Sequence, residues 1–173
     1  MLKNIRRNAF ALVAVTAVLI LSATISIRAQ APEFSFRSVD GQTVTSESVR
    51  GEVVVLAFGA SWLPLTRNQM EGLKKLADQY AGKGVAVYWV STESDNQKSK
   101  NYASDEELRE LGRKYKSTVL RDPDGAISRR LGVDQLPSTI ILNKQGQVAA
   151  TIGGLDPNAD VAKQLAERLD KIL

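Results

Sequence analysis

The chain has 173 residues, of which 43% are hydrophobic and 24% charged, a composition typical of a globular domain with its own core. It contains no cysteine and no histidine, which excludes disulfides, thiolate nucleophiles, zinc sites built from Cys or His, and Ser-His or Cys-His catalysis. A metal site made only of oxygen ligands remains possible on these grounds.

The net charge of +4 belongs to the N-terminal segment. Residues 1–31 hold four of the 23 basic residues and none of the 19 acidic ones, so the rest of the chain has 19 of each sign and no net charge. A neutral domain without a stripe of basic and aromatic residues offers no electrostatic basis for binding nucleic acid. We therefore expect no nucleic-acid partner.

Residues 1–31 have the layout of a secretory signal: a basic start, the apolar run Ala9–Leu21, and a small, polar end. Pro32 would directly follow the cut, which is unfavourable for cleavage. Residues 8–27 are uncharged and long enough to span about 30 Å of hydrocarbon. The sequence predicts a signal peptide or an uncleaved membrane anchor, and then one domain over 32–173. Both alternatives export the domain to the periplasm or another extracytoplasmic site and leave the N-terminal segment as its one membrane contact.

The first half of the exported part alternates strands and a helix. The Asp40-Gly41 turn between short apolar stretches predicts a hairpin. Val53–Phe58 is a continuous apolar run that predicts a strand buried on both faces, and Val85–Val90 predicts a second one. Between them, apolar residues from Met70 to Tyr80 recur at helical spacing.

The second half begins with a polar stretch, Thr92–Ala103, that predicts a loop, and acids such as Glu93 are expected on its solvated surface. The elements predicted after it are a helix behind a Ser104/Glu107 capping box, a short strand at Val119-Leu120, an Asp122–Gly125 turn, a short helix at Ala126–Leu131, strands at Thr139–Leu142 and Val148–Ile152, and a last helix capped by Asp156 and opened by Pro157. This order of elements implies an α/β domain with a mixed sheet and helices on its faces.

Three stretches, Asp40–Glu52, Leu56–Arg67 and Gly132–Leu142, resemble the thioredoxin superfamily, most closely its exported TlpA/ResA-type branch, which overlaps with redoxin and AhpC/TSA domains. The second contains Trp-Leu-Pro-Leu-Thr-Arg where the family has Trp-Cys-Pro-Pro-Cys-Arg, and the third resembles the loop with the family's cis-proline. The resemblance covers Pro32–Leu173. It implies a thioredoxin-like fold, a mixed central sheet flanked by helices with an N-terminal hairpin extension.

The departure from the family pattern lies at its two cysteine positions, which are Leu63 and Thr66 here. Leucine has no ionisable group, and Thr66 has no histidine or other evident base to activate it. Many thioredoxins also have a buried acid where this chain has Ala57. Dithiol exchange and peroxidase chemistry of the family type are therefore excluded for this chain alone, and we expect no catalytic residue, no cofactor and no metal.

The resemblance implies that a partner-binding surface remains. Its expected residues are Trp62, Leu63, Pro64, Leu136 and Pro137, with Pro137 cis. The expected partner is an envelope protein or an extended peptide segment, bound by strand addition. Simpler interpretations stand beside this one: a core role for the tryptophan, drift at the leucine, and a rigid turn at the second proline.

Two further residues have a structural interpretation: Thr66 and Gln69 fit a capping box that opens the first helix, with Pro64 in its first turn. Trp89 lies within an apolar run and is expected in the core. Asp122 and Asp124 begin like a calcium loop but lack its other ligands, so a plain turn is expected there.

Four functions are compatible with the sequence. The leading one is a redox-inactive, partner-binding relative of the thiol-disulfide oxidoreductases. A non-thiol enzyme or a domain that binds a small molecule or metal is the alternative. The family by itself would suggest oxidoreductase or antioxidant activity, which the residues do not support. A structural module of a larger membrane complex cannot be separated from the first by sequence.

Overall fold

A computed structural model describes residues 31–173, and the predicted signal or anchor segment lies outside these residues. The strands are β1 (Ser35–Ser38), β2 (Thr43–Thr45), β3 (Val53–Gly59), β4 (Val85–Ser91), β5 (Thr118–Arg121), β6 (Ser138–Leu142) and β7 (Val148–Gly153). The helices are α1 (Thr66–Gln79), α2 (Asp105–Tyr115), α3 (Ala126–Arg130) and α4 (Val161–Leu169). Within residues 31–173 no helix is both long and apolar enough to cross a membrane.

The strands form one mixed sheet in the order β2-β1-β5-β4-β3-β6-β7. β3, β4 and β5 are parallel neighbours, whereas the pairs on either side of them are antiparallel. The predicted hairpin around Asp40-Gly41 is confirmed as β1 and β2, and it extends the sheet because β1 pairs with β5. The predicted mixed sheet with flanking helices is therefore confirmed.

The strand β3 is buried along its whole length, as its continuous apolar run predicts. Alternate residues point to opposite faces of the sheet, so Val53, Val55 and Ala57 join a core that includes apolar side chains of α1, α2 and α4. The residues between them join a second core with Phe34, which directly precedes β1, and Phe36 of β1. Ile127 of α3 packs at the margin of this core. Three helices, α1, α2 and α4, thus pack on one face of the sheet, whereas the short helix α3 packs at the margin of the other.

The start of α2 confirms its predicted capping box. The Ser104 hydroxyl accepts a hydrogen bond from the Glu107 main-chain N–H, and the Glu107 carboxylate accepts one from the Ser104 N–H at 2.8 Å. The Ser104 hydroxyl also donates to the Glu107 carboxylate at 2.7 Å, and the bonds that this carboxylate accepts from the Ser104 main chain and hydroxyl hold the pKa of Glu107 below its ordinary value. A charged carboxylate at this position also suits the helix dipole.

The predicted start of the last helix is wrong. α4 begins at Val161, and its cap is Asp160, whose side chain accepts from the Lys163 N–H. Asp156 instead closes a turn, because its carboxylate accepts from the N–H of Asn158 two residues later and Pro157 lies inside that turn. Two aspartates four residues apart both had the chemistry of a cap, and the local turn decided between them.

The contact between α1 and α4 gives a test of the packing. A Cβ built on Gly72 would lie 2.6 Å from the Val161 Cβ, a distance that forces the two helices apart. We expect Gly72→Ala to lower the free energy of unfolding by about 1–3 kcal/mol, as overpacking of a core does. Urea denaturation followed by circular dichroism measures this.

Lys75→Ala is the matched control, because Lys75 is an exposed position of the same helix. It should leave the free energy of unfolding within about 0.5 kcal/mol of the wild-type value. Equal stability of the two variants would contradict the close approach of α1 and α4.

Candidate functional site

The candidate site lies where three segments leave one edge of the sheet. The turn 60–65 follows β3, the loop 92–104 follows β4, and the segment 135–137 precedes β6. Register places these ends side by side, since Gly59 pairs with Ser91 and Phe58 pairs with Ser138. Adjacent strands are about 4.8 Å apart, so the topology brings together the two stretches in which the sequence resembles the family's redox site.

The five residues expected to form the partner-binding surface differ in exposure. Trp62 is 65% exposed and Leu136 is 38% exposed, which makes them two of the few large apolar side chains at the surface of residues 31–173. Leu63 is half-buried, Pro64 is exposed and Pro137 is buried. The Leu136–Pro137 peptide bond is cis, as the resemblance implies. The exposure of Trp62 excludes the alternative that it is a core aromatic.

The predicted capping box of Thr66 and Gln69 is wrong. α1 begins at Thr66 behind Leu65, and no side chain caps it. The Thr66 hydroxyl donates to the Ala60 carbonyl at 2.5 Å, so it closes the turn from below rather than capping the helix. Pro64 accordingly lies in the turn ahead of the helix and not in its first turn.

Gln69 is fully buried beneath the turn. Its side-chain amide donates to the Phe58 carbonyl at 3.3 Å and accepts from the Trp89 indole N–H at 2.9 Å. Trp89 is a core residue, as predicted. A Cβ on Gly59 would lie 2.9 Å from the Gln69 Oε1 and 3.1 Å from the Trp89 Nε1. The floor of the site is therefore a closely packed, neutral polar pair.

The N-terminus of α1 retains the electrostatics that a thiolate would use. The main-chain N–H groups of Arg67 and Asn68 have no acceptor among residues 31–173. Such free N–H groups and the helix dipole stabilise an anion at this end of a helix. Leu63, at the position of the family's first cysteine, presents no anion to them.

Glu93 is the residue that the sequence misjudged. It was expected at the solvated surface, but it is 1% exposed. Its carboxylate accepts from the Ser61 N–H at 2.9 Å, from the Ser61 hydroxyl at 2.6 Å and from the Ser91 hydroxyl at 3.0 Å. All these donors are neutral, so hydrogen bonds alone satisfy the buried carboxylate, and they fasten Ser61 of the site turn to the loop 92–104.

Asn101 fastens Trp62, the next residue of the turn, to the same loop. Its side-chain oxygen accepts from the Trp62 indole N–H at 2.8 Å, and its amide donates to the Thr92 carbonyl at 3.3 Å. Trp62 is thus an exposed ring whose polar atom already has a partner within the chain.

A buried guanidinium anchors the loop. The side chain of Arg121 is 1% exposed and donates to the carbonyls of Ala103 at 3.0 Å and Glu93 at 3.4 Å. Its nearest carboxylate is Asp105, 3.6 Å from its Nε. Hydrogen bonds from Arg37 lower the pKa of Asp105, against a smaller opposing effect of burial, and the charge of Arg121 adds to this. The carboxylate therefore remains ionised beside the buried cation.

The main chain of Leu136 is unpaired. Within residues 31–173 neither its N–H nor its carbonyl has a hydrogen-bond partner. Its neighbours differ: the Gln135 carbonyl accepts from the Ser138 hydroxyl at 2.8 Å, and the Pro137 carbonyl accepts from the Gly154 N–H at 2.9 Å. One residue at this edge of the sheet thus offers a free donor and a free acceptor, the pattern that an added strand requires.

A cavity of about 310 Å³ adjoins Ser61, and Glu107 and Glu110 lie among its lining residues. The Glu107 carboxylate is engaged in the cap of α2. Within residues 31–173 no three Asp or Glu side chains are placed to hold a metal ion together.

Comparison with known proteins agrees with this geometry. A profile of the AhpC/TSA family matches residues 27–151, which is most of the chain. The chain belongs to the AhpC/TSA family. This confirms the TlpA/ResA-type, thioredoxin-like resemblance, and the family includes thiol-disulfide oxidoreductases.

Three relatives illustrate the family. The thiol-disulfide oxidoreductase ResA of Bacillus thuringiensis subsp. konkukian is 27% identical over 143 residues, which cover 83% of this chain and 76% of ResA. The thioredoxin-like protein YneN of Bacillus subtilis is 29% identical over 145 residues, covering 82% and 77%. The exposed lipoprotein thioredoxin Etrx1 of Streptococcus pneumoniae superposes with a TM-score of 0.61 at 25% identity, covering 78% of this chain and 98% of Etrx1.

Sequence reasoning missed Glu93 and Asn101 because polar loop residues look alike when only their neighbours in the chain are known. One signal was available for Glu93. It comes two residues after a buried strand, and in a parallel sheet functional side chains gather where neighbouring strands end. No comparable signal marked Asn101, whose partner Trp62 is 39 positions away.

The role of Glu93 in the fold can be tested by removing its carboxylate. Glu93→Ala leaves the Ser61 N–H and two hydroxyls without their acceptor, so we expect a loss of about 1–3 kcal/mol in the free energy of unfolding. Asp95→Ala, two residues away at an exposed position, should change it by less than about 0.5 kcal/mol. Urea unfolding of both variants measures the difference. Equal free energies of unfolding would contradict a buried, hydrogen-bonded role for the Glu93 carboxylate.

The surviving redox geometry can be tested by restoring the thiols. We expect the full chain with Leu63→Cys and Thr66→Cys to reduce insulin disulfides with dithiothreitol as the reductant, because the free N–H groups of α1 would stabilise a thiolate at position 63. The wild type should be inactive.

The matched control is Trp62→Cys with Leu65→Cys, which has the same spacing displaced by one residue. It should show much less activity, since position 65 is the cap of α1 and not the buried position beneath the turn. An inactive Leu63→Cys/Thr66→Cys variant would mean that the site geometry has diverged from that of its oxidoreductase relatives.

Proposed function

We propose that this chain is a redox-inactive member of its family that binds an extended segment of a partner protein without forming a covalent bond. The binding region is the Trp62–Leu136 surface, by which we mean Trp62, Leu63, Pro64, Leu136 and Pro137. The absence of cysteine from the sequence removes the family's covalent step. Unpaired main-chain groups and exposed apolar side chains at the same edge of the sheet support non-covalent binding.

The main observation is the unpaired main chain of Leu136, at the same edge of the sheet as two exposed apolar side chains, its own and that of Trp62. A partner strand would gain main-chain hydrogen bonds at Leu136 and would bury part of the Trp62 ring. Tryptophan is enriched among the residues that dominate binding energy, because it buries a large area at a low cost in conformational entropy. Both contributions are non-covalent and need no nucleophile.

We also propose that the domain acts outside the cytoplasm, where its partner is an envelope protein. The basic and then apolar pattern of residues 1–31 supports export. The relative Etrx1 is described as an exposed lipoprotein, and export of this chain would be consistent with that.

Fusing alkaline phosphatase after Leu173 tests the proposed export. We expect the fusion to be active, since this reporter is active only when exported.

Binding can be tested with the tagged full chain in envelope extract from its source organism. We expect the wild type to retain a partner and Trp62→Ala to lose it, since truncating a central aromatic contact costs about 2 kcal/mol or more, roughly a thirtyfold loss of affinity. Quantitative mass spectrometry of the retained proteins measures the difference.

Val148→Ala is the matched control. Val148 is 43% exposed on β7 and lies away from the site, so its truncation removes apolar surface elsewhere. It should retain the partner at the wild-type level. Equal recovery with wild type and Trp62→Ala would contradict the proposed surface.

A further inference from the structure

The loop 92–104 holds two residues of the site turn, Ser61 and Trp62. The Glu93 carboxylate binds the N–H and hydroxyl of Ser61, and the Asn101 side chain binds the indole N–H of Trp62. The loop 92–104 thus contacts the turn 60–65 at two consecutive residues. The position of the tryptophan depends on a segment that the family's active-site motif does not include.

The loop itself is fixed to the sheet. The Thr92 N–H donates to the Gly59 carbonyl at 3.0 Å, at the end of β3. Ser94 closes the loop on itself, because its N–H donates to the Asn101 carbonyl at 2.7 Å and its carbonyl accepts from Ala103 at 3.1 Å. The buried Arg121 then binds the carbonyls of Glu93 and Ala103, close to both ends of the loop. The main chain that carries Asn101 is therefore held in place by hydrogen bonds within the loop and to Arg121.

Holding the ring in advance favours binding. A side chain as exposed as Trp62 would otherwise sample several rotamers, and immobilising it on association costs about 0.5–1.5 kcal/mol. The hydrogen bond to Asn101 restricts the ring before a partner arrives. The same bond has a chemical consequence, because the indole has a single donor and no acceptor.

We propose that Asn101 is a positioning residue that orients Trp62, and that it thereby determines which side chain the surface accepts. With its N–H engaged, the ring offers a partner apolar faces and no hydrogen bond. Leu63 is half-buried and Leu136 is exposed, so each adds apolar surface at this edge of the sheet. The bound segment is therefore an extended strand with an apolar side chain facing Trp62. This inference rests on the proposed binding function.

The positioning role can be tested without a partner. The chain has two tryptophans, so a ¹⁵N-labelled full chain in detergent gives two indole N–H signals in a proton–nitrogen correlation spectrum, and Trp62→Phe assigns them. Asn101→Leu should shift the Trp62 signal and speed its exchange with water by about tenfold or more. The Trp89 signal should stay, because its acceptor is Gln69 in the core.

Two variants separate positioning from general damage to the loop. Asn101→Asp keeps an acceptor for the indole but loses the amide bond to Thr92, so it should restore the Trp62 signal. Asn96→Leu changes a residue of the same loop whose side chain accepts only from the Lys98 N–H, and it should leave the signal unchanged. An unchanged Trp62 signal in Asn101→Leu would overturn the positioning role.

The specificity is tested on the wild type with three capped peptides, Ser-Thr-Xaa-Thr-Ser, in which Xaa is Leu, Gln or Asp. We expect the Leu peptide to perturb the Trp62 signal and the other two to bind at least about tenfold more weakly, because they bury a polar or charged side chain against the ring. Equal affinities for Leu and Gln would overturn the apolar preference.

The spectra of the Asn101 variants and the peptide titrations can fail independently. If no peptide perturbs the Trp62 signal while Asn101→Leu still shifts it, strand addition at this surface is contradicted, and so is the preference built on it, whereas Asn101 is still shown to orient the ring. If the Leu peptide binds and Asn101→Leu changes nothing, the proposed function stands and the inference about Asn101 is wrong.

Discussion

The position of β3 between β4 and β6 determines where every part of the candidate site lies. β3 is buried on both faces and paired on both edges, so its last residue is held in one place. The turn 60–65 must start from that point. The loop after β4 and the cis-proline segment before β6 begin or end one strand away, on opposite sides. The location of the site is therefore a product of strand order, and contacts of particular residues in the turn then fix its detailed geometry.

The contacts that hold the turn in place do not require a thiol. A thiolate at position 63 would have been stabilised by the free N–H groups of α1, but it would not have held the turn in place. The turn is held by Thr66 on the Ala60 carbonyl, by Glu93 on Ser61 and by Asn101 on Trp62. None of these contacts involves sulfur. The bonds of Ser61 and Trp62 are therefore independent of the side chains at positions 63 and 66, and the Thr66 hydroxyl adds its own bond to the Ala60 carbonyl.

The sequence predicted those features that depend on neighbours along the chain. Continuous apolar runs identified β3 and β4, and the Ser104/Glu107 spacing identified the cap of α2. The errors concern residues with two possible uses. Asp156 and Asp160 could each have capped α4, and Thr66 and Gln69 had the spacing of a capping box while facing the core. Which use prevails is decided by contacts across the sheet, and Glu93 was misjudged for the same reason.

The buried Glu93 also bears on how the site could move. A buried carboxylate without its donors costs several kcal/mol, and here the donors are the hydroxyls of Ser61 and Ser91 and the Ser61 N–H. If the turn opened, two of these three bonds would break at once, and the buried Glu93 side chain would keep only the Ser91 hydroxyl as a donor. These bonds restrain the turn, although Ser61 and Trp62 are exposed. A surface built in this way suits recognition by a preformed shape, in which the partner's segment does most of the folding.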